Sequence, residues 1–594
     1  MFRKAIFMSF AALAMAVLPA VPVAAATPAA TIDLPGKAKW HRVTSLGLVL
    51  IGTDDALLLI DGETGKVQWK RDDIKKTLPY NVREVEGQPI ILVNDWSSAI
   101  GAKISSQGLD FATGETKFKT EAEQGQNFGL YVSPDGAHIL NIAQVATEGV
   151  GTYATLYDGL TGKKLWRTKI AGMLGLTLHP AETGAFIVTR QDLSGHQDPV
   201  FDETTVYLPF QGLMALDRAT GAVKWNVEYT TADKELKKSY AAPVIDGDTV
   251  YAAGKGLVYA IDKASGQVKW KTDKVSSGFF SSGAISQVLP AGDKLYVRLG
   301  GNFYNAPKKQ FELKKPLGVM ALDRASGNKD WEYKDADEGI TNLVLLKDQG
   351  VVMLADGAHL TGLDLESKGK ASKKFDVPIE FKRKMSGSEV TATAVSAVSG
   401  FLTGGLSGAL KASGNSLTGK NRLDVPVALI PNGEGQVVVA GKQHLMKFDP
   451  VAKNIAWSTY YAAPGSSGVG VAALSALTLV AAAGQGAYYW GGVTNGYNGF
   501  SGNSGLQQSY GSLGNYAAKR YSASKQARDY AYVLTNVTEG KDTGVGLMAI
   551  SYSTGEPGTQ VLLKDKEPEY AVDDIAGRLF YFTDKKQVEV FNLK

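Results

Sequence analysis

Residues 243–270 read PVIDGDTVYAAGKGLVYAIDKASGQVKW: four apolar-rich runs separated by three turn signals. Asp246-Gly247-Asp248 ends the first run and Gly254-Lys255-Gly256 the second, and both compositions bend a chain sharply. The third turn, Asp262 to Gly266, leads into a strand carrying Trp270. Four strands within one such stretch, joined by tight turns, form an antiparallel meander the size of one four-stranded propeller blade.

The last turn of that meander recurs along the chain with fixed internal spacing. An Asp is followed three residues on by Thr or Ser, then by Gly, then by an aromatic residue four positions later. Copies lie at Asp61, Gly65, Trp69; Asp110, Gly114, Phe118; and Asp158, Gly162, Trp166. Further copies are Asp217, Gly221, Trp225; Asp262, Gly266, Trp270; and Asp323, Gly327, Trp331. A worn copy keeps Asp449 and Trp457 without Thr-Gly, another keeps Thr554-Gly555 with Ser551 in place of Asp, and weaker candidates lie near Asp364 and Lys411.

Each position has a physical reason. The carboxylate of Asp accepts hydrogen bonds from amides two or three residues on. Gly supplies a positive φ at the end of a short hairpin loop. The aromatic lies on the returning strand, where a flat ring wedges between neighbouring sheets. Six of the nine tryptophans occupy this position, which makes chance a poor explanation.

These residues imply an all-β fold: a single large β-propeller of four-stranded blades, at least eight and up to about eleven candidate units. Its parts are a signal peptide (1–26), the first part of the propeller (27–461), a Gly/Ala-rich hydrophobic insertion, partly helical (462–527), and the last part (528–594). The chain ends in GRLFYFTDKKQVEVFNLK, two strands with no returning partner, and KAKWHRV (37–43) with Trp40 is expected to supply the missing strand. A blade shared between the termini leaves no open sheet edge.

The signature A-x-D-x-x-T-G-x-x-x-W, carried by MALDRATGAVKW (214–225) and YAIDKASGQVKW (259–270), resembles that of the pyrroloquinoline-quinone-like (PQQ-like) repeat proteins. The resemblance covers about residues 45–460 and 528–594. It implies the propeller and leaves function open, because such repeats occur in dehydrogenases, assembly scaffolds and sensor domains. The chain is more similar to the propeller scaffold of the outer-membrane barrel assembly machinery than to the quinoprotein dehydrogenases. In the alcohol-oxidising branch a vicinal disulfide stacks on the cofactor, whereas this chain has no cysteine. Motifs for that group's calcium ligands and catalytic Asp are not found, so no catalytic residue is assigned and no cofactor is expected. The motif Asp, Gly and aromatic residues are read as structural.

The remaining composition narrows the class. Arg3 and Lys4, the apolar stretch Ala5 to Leu18 and the small residues before Thr27 form a cleavable export signal. The absence of cysteine excludes a disulfide framework and a lipobox anchor. Charge is near balance at +4 with both signs interleaved, which gives no footprint for nucleic acid. His41, His138, His179, His196, His359 and His444 show no ligand spacing, so no metal site is expected. Residues 468–490 carry no charge and end in Tyr488, Tyr489 and Trp490. Flanking repeats argue against a simple span, leaving packing on protein, membrane contact or disorder. The expected function is an exported, non-enzymatic scaffold or binding protein of the cell envelope whose partner is an envelope or membrane-associated protein. The alternative is a quinone-dependent (PQQ) periplasmic dehydrogenase.

Overall fold

Continuous apolar runs such as Leu57–Ile60 make strands that are buried on both faces, whereas outer strands such as Val223–Glu228 alternate apolar and polar residues and bury one. The computed structural model describes residues 26–594 except 173–198, 230–240, 273–284, 380–425 and 462–528, although Leu513 is described; short breaks fall at 80, 86, 95–102, 146–148, 210–211, 255, 306–309, 337–338, 433–434, 442 and 566–567. Ten consecutive antiparallel sheets form ten blades. Their described strands lie within 38–71, 82–119, 126–171, 200–228, 244–271, 285–333, 344–378, 426–460, 530–562, and 570–592 joined by 30–33 (blades 1 to 10). Nine blades show four strands, and blade 9 shows three among the described residues. The unit near Lys411, the leader and the hydrophobic run 468–490 lie outside the described residues.

Within a blade the second and third strands are buried throughout, as in Thr205–Pro209 and most of Gly212–Asp217, whereas the outer strand Val223–Glu228 buries only Trp225 and Val227. That gradient follows from position, since inner strands are covered on both faces and outer strands meet water. The core is therefore a series of seams between blades. One seam joins Tyr207, Ala215 and Trp225 of blade 4 to Val250, Ala252 and Tyr259 of blade 5. Another joins Tyr532 and Leu547 of blade 9 to Leu579 and Phe591 of blade 10.

Closure corrects one sequence expectation. The strand that completes the last blade is Ala30–Asp33, which pairs with Gln587–Asn592 from Asp33↔Gln587 to Ala30↔Val590. The Trp40 strand, Ala38–Val43, is instead the inner strand of blade 1 and pairs with Val49–Thr53. Physical chemistry favours that arrangement, because a hairpin closed within a few residues costs less chain entropy than pairing with the far terminus. Trp40 then buries its ring and donates its indole N–H to the Thr77 carbonyl at 2.8 Å.

At this closing seam the His41 ring stacks on Phe582, with centroids 3.9 Å apart and planes 9° from parallel. Burial, reinforced by the nearby charge of Lys585, holds the imidazole pKa down at about 4. His41 therefore folds neutral. The unfolded chain takes up its proton near pH 6.5, so the stabilisation is fully present above that pH and is lost as pH falls toward 4. His41→Phe, which keeps a ring on Phe582, should remove up to roughly 3 kcal/mol of stability loss between pH 7 and pH 4. Denaturant titrations at the two pH values check this, and an unchanged pH dependence in the variant would contradict it.

Candidate functional site

Antiparallel alternation gives the ring two unlike ends. In each blade the turn between first and second strands and the turn between third and fourth lie on one face. The opposite face carries the turn between second and third strands and the connections that run from a fourth strand to the first strand of the next blade. Backbone bonds confirm the pairing of the turns: the amides of Arg218, Lys263 and Arg324, each just after a motif Asp, donate to Thr204, Asp248 and Asp293 carbonyls in the first turn of the same blade.

The motif builds the first of these faces, the turn face. The Asp217 carboxylate accepts the amides of Ala219 at 3.1 Å and Thr220 at 2.9 Å, and the Thr220 hydroxyl at 2.9 Å. Those bonds hold its carboxyl below the usual range. Gly221 then takes φ +72° and donates to the Asp217 carbonyl at 2.8 Å. A register shift between Ala215 and Leu216 opposite the returning strand completes a bulged turn.

Most of the motif turns also receive a ring from the preceding blade. Trp166 donates its indole N–H to the Arg218 carbonyl at 2.9 Å, Trp225 to Lys263 at 3.0 Å, and Trp270 to Arg324 at 2.8 Å. Trp69 reaches Phe111, Trp331 reaches Ser367 and Trp457 reaches Tyr552 in the same way. The motif glycine lies flat on that ring: a Cβ on Gly221 would fall 2.5 Å from Cδ2 of Trp166. Gly114, Gly266, Gly327 and Gly555 meet Trp69, Trp225, Trp270 and Trp457 likewise, and Gly162 meets Phe118. Gly65 meets Ala30 and Ile32 of the closing strand, where no large ring is present. Asp61, Asp110, Asp158, Asp262, Asp323 and Asp449 each accept at least one amide within their own turn.

Three seams carry an additional tie that the sequence reading missed. The basic residue directly after the motif Asp reaches back to an acid in the first turn of the preceding blade. Arg218 meets Asp135 at 2.6 Å, Lys263 meets Asp202 at 2.9 Å, and Arg324 meets Asp246. Burial opposes the charge on Asp135, but hydrogen bonds from Ser133 and Arg218 outweigh it and keep the carboxyl below its ordinary value. His138 accepts from Arg218 Nε at 3.0 Å, and burial together with that guanidinium lowers its pKa. The recurrence of Arg or Lys after Asp217, Asp262 and Asp323 was the available signal.

Inner strand edges are covered by amide side chains. Gln287 of blade 6 accepts the Leu343 amide at 2.7 Å and donates to the Leu343 carbonyl at 3.1 Å. Asn342 does the same for Leu429 at 2.9 and 3.0 Å. These side chains mimic a further strand and satisfy backbone groups that would otherwise face the centre of the ring.

The opposite face is irregular. Its connections join blades 3 and 4 (172–199) and blades 7 and 8 (379–425), alongside short ones such as 34–37 and 563–569; the longest, 461–529, enters blade 9 at the turn face, where the Tyr552 amide donates to the Asp529 carbonyl at 2.8 Å. Leu513, within the longest, packs against the cluster of Trp40, Leu46, Trp69 and Ile74 at blades 1 and 2. Among the described residues no group of three or more His, Cys, Asp or Glu is placed to hold a metal, and no helix is long and apolar enough to cross a membrane. Of the histidines, His359 pairs with Asp376 at 3.1 Å and His444 packs near Tyr460, whereas His179 and His196 lie outside the described residues.

The ring and its fasteners define a ten-bladed β-propeller with aromatic docking between blades. The sequence profile of the family described as "Outer membrane protein assembly factor BamB" matches residues 183–333 and 214–371. The repeats within 183–371 are similar to those of the PQQ-like β-propeller family. No curated protein matches it. Among solved structures, BamB from Moraxella catarrhalis is 16% identical over 60% of this chain and 92% of that one, with a TM-score of 0.32. Quinohemoprotein alcohol dehydrogenase from Comamonas testosteroni is 14% identical over 93% of this chain and 72% of that one, with a TM-score of 0.29.

The worn copy in blade 8 offers a test of the turn. Lys453 occupies the glycine position and still takes φ +55°. An L-residue there carries left-handed strain that glycine lacks, partly offset by the greater freedom of glycine when unfolded. Lys453→Gly should therefore stabilise the protein by roughly 0.5–1 kcal/mol in denaturant titrations. A loss of stability would show that the worn turn is held by its lysine side chain.

Proposed function

We propose that this chain is an exported, non-enzymatic propeller scaffold of the cell envelope that holds protein partners on its connection-bearing face. The observation that carries the reading is the profile match to an outer membrane protein assembly factor across 183–371. The asymmetry of the ring supports it: the turn face is occupied by fasteners, and long chain excursions leave from the other. In this reading residues 1–26 are a leader removed at about Thr27, 462–527 are an excursion between strands of a ring that closes without them, and the motif Asp, Gly and aromatic residues serve structure alone.

The cysteine-free sequence allows a direct test. Leu78, 42% exposed in a blade-to-blade connection, and Val451, 79% exposed in a motif turn, lie on opposite faces. Each is changed to Cys, labelled with a photoreactive group and irradiated in envelope preparations. The scaffold reading expects a discrete envelope protein cross-linked at Leu78→Cys and none at Val451→Cys, with N-terminal sequencing starting near Thr27. Cross-links only at Val451→Cys would contradict it. Stoichiometric quinone binding with dye-linked alcohol oxidation would favour the dehydrogenase alternative.

A further inference from the structure

The outer strand of each blade faces water along one edge, and an unpaired row of N–H and C=O groups there invites another strand to add. Sheets commonly guard such edges with lysine, proline or short length. In blades 1 to 7 every outer strand carries lysine, and Lys70, Lys119 and Lys271 stand directly after the wedge aromatic. Blade 9 opens its outer strand, Pro557–Leu562, on proline, and blade 10 has a strand of only 4 residues, Ala30–Asp33. Blade 8 has none of these devices: Asn454–Tyr460, NIAWSTY, runs for 7 residues without charge or proline. Among the described outer strands it alone buries no residue, alternating exposed and half-buried positions. Trp457 is half-buried, where Trp69, Trp166, Trp225, Trp270 and Trp331 at the same motif position are buried.

The backbone of this strand is turned for pairing. The Tyr461 amide donates to the Gln443 carbonyl directly opposite at 2.9 Å, so Thr459 and Trp457, two and four residues earlier in the same register, also bond inward. Ser458 between them therefore points its amide and carbonyl away from blade 8. Among the described residues no strand pairs with this edge. Ile455, Trp457, Thr459 and Tyr460 are strand-forming side chains, and Tyr460 is 38% exposed. We propose that Asn454–Tyr460 is a pairing edge for a second copy of this chain, joining two blade 8 sheets antiparallel about a two-fold axis near Trp457. Charge selects a second copy as the occupant. Two-fold pairing sets a strand against its own sequence, so a lysine near the axis meets its copy, and like charges directly opposite destabilise a sheet. The outer strands of blades 1 to 7 carry that penalty, and NIAWSTY does not. Pairing also covers apolar surface of Trp457 and Tyr460, and a two-fold contact closes on itself without leading to fibres. The edge lies on the perimeter and leaves both ends of the ring accessible, so the inference is independent of the scaffold reading.

Sedimentation of the mature full-length protein over a wide concentration range tests it, and a monomer–dimer equilibrium is expected. The pair Ala456→Lys and Ser458→Lys should weaken dimerisation by about tenfold or more, because lysines from the two copies then face each other across the axis. Melting in dilute solution should not change, since blades 2 and 5 carry lysine at both of these positions, Lys117 and Lys119 in one, Lys269 and Lys271 in the other. Asn226→Lys, the matching position on blade 4, should leave the dimer intact. A second measurement does not depend on the lysine variant folding. In this cysteine-free chain, Ser458→Cys treated with a short bis-maleimide should link two copies, and Asn226→Cys should not. A monomer at every concentration, a dimer that survives the two lysines, or equal cross-linking at Asn226→Cys would each overturn the proposal. A dimer that forms only when 464–526 is replaced by a Gly/Ser linker would also overturn it, because the chain itself would then be the cover. Loss of partner cross-linking at Leu78→Cys with the dimer intact would count against the scaffold reading alone.

Discussion

The ring depends on one repeated contact: an aromatic ring from the outer strand of one blade, laid under a glycine in the motif turn of the next and bonded to the carbonyl beside it. Ring burial supplies most of its strength, since truncating a buried Phe or Trp costs about 3–5 kcal/mol. The indole hydrogen bond adds about 1 kcal/mol and, more importantly, a direction. It fixes how far each blade rotates against its neighbour, because the ring fits only where the glycine leaves room. Seams that lack the full contact use substitutes. Phe375 packs on Phe448 between blades 7 and 8, with centroids 5.0 Å apart. The closing seam uses strand pairing and the His41–Phe582 stack.

Placing the fasteners on the turn face has a consequence for function. That face must stay regular, because a longer loop at a motif turn would displace the glycine from its ring. Insertions are tolerated in the connections between blades, where loop closure costs only about 0.6 kcal/mol per doubling of length. The longest chain excursions between blades therefore leave from the other face. A propeller of this build supplies a rigid ring, and in the proposed scaffold reading its other end is the one that acquires partners.

How much of this was legible in the sequence depended on distance along the chain. The motif turn was readable because Asp217, Thr220 and Gly221 interact within a few residues, and the tryptophan position because six of nine tryptophans share it. The blade near Asp364 was faint because its turn is longer: the Asp364 amide bonds to Ser372, not to the residue after a nearby glycine. The closing strand was assigned to Trp40 because Ala30–Asp33 is short and shows no motif, and its partner is at the far end of the chain. The Arg218–Asp135 tie spans 83 positions, so nothing local announces it. No catalytic constellation was legible, because partners that meet only in the folded ring leave no spacing in the sequence.

The central claim is that ring and glycine act as one unit across the seam, and a double-mutant cycle on Trp225 and Gly266 tests it most directly. Gly266→Ala should cost more than about 2 kcal/mol, because its methyl group would collide with the indole and its φ of +74° is left-handed. In a Trp225→Ala background the collision is gone and only the backbone strain remains. The two substitutions should then be non-additive by about 1 kcal/mol or more in denaturant titrations. Additivity within about 0.5 kcal/mol would mean the ring and the glycine stabilise their own blades separately, contradicting the account.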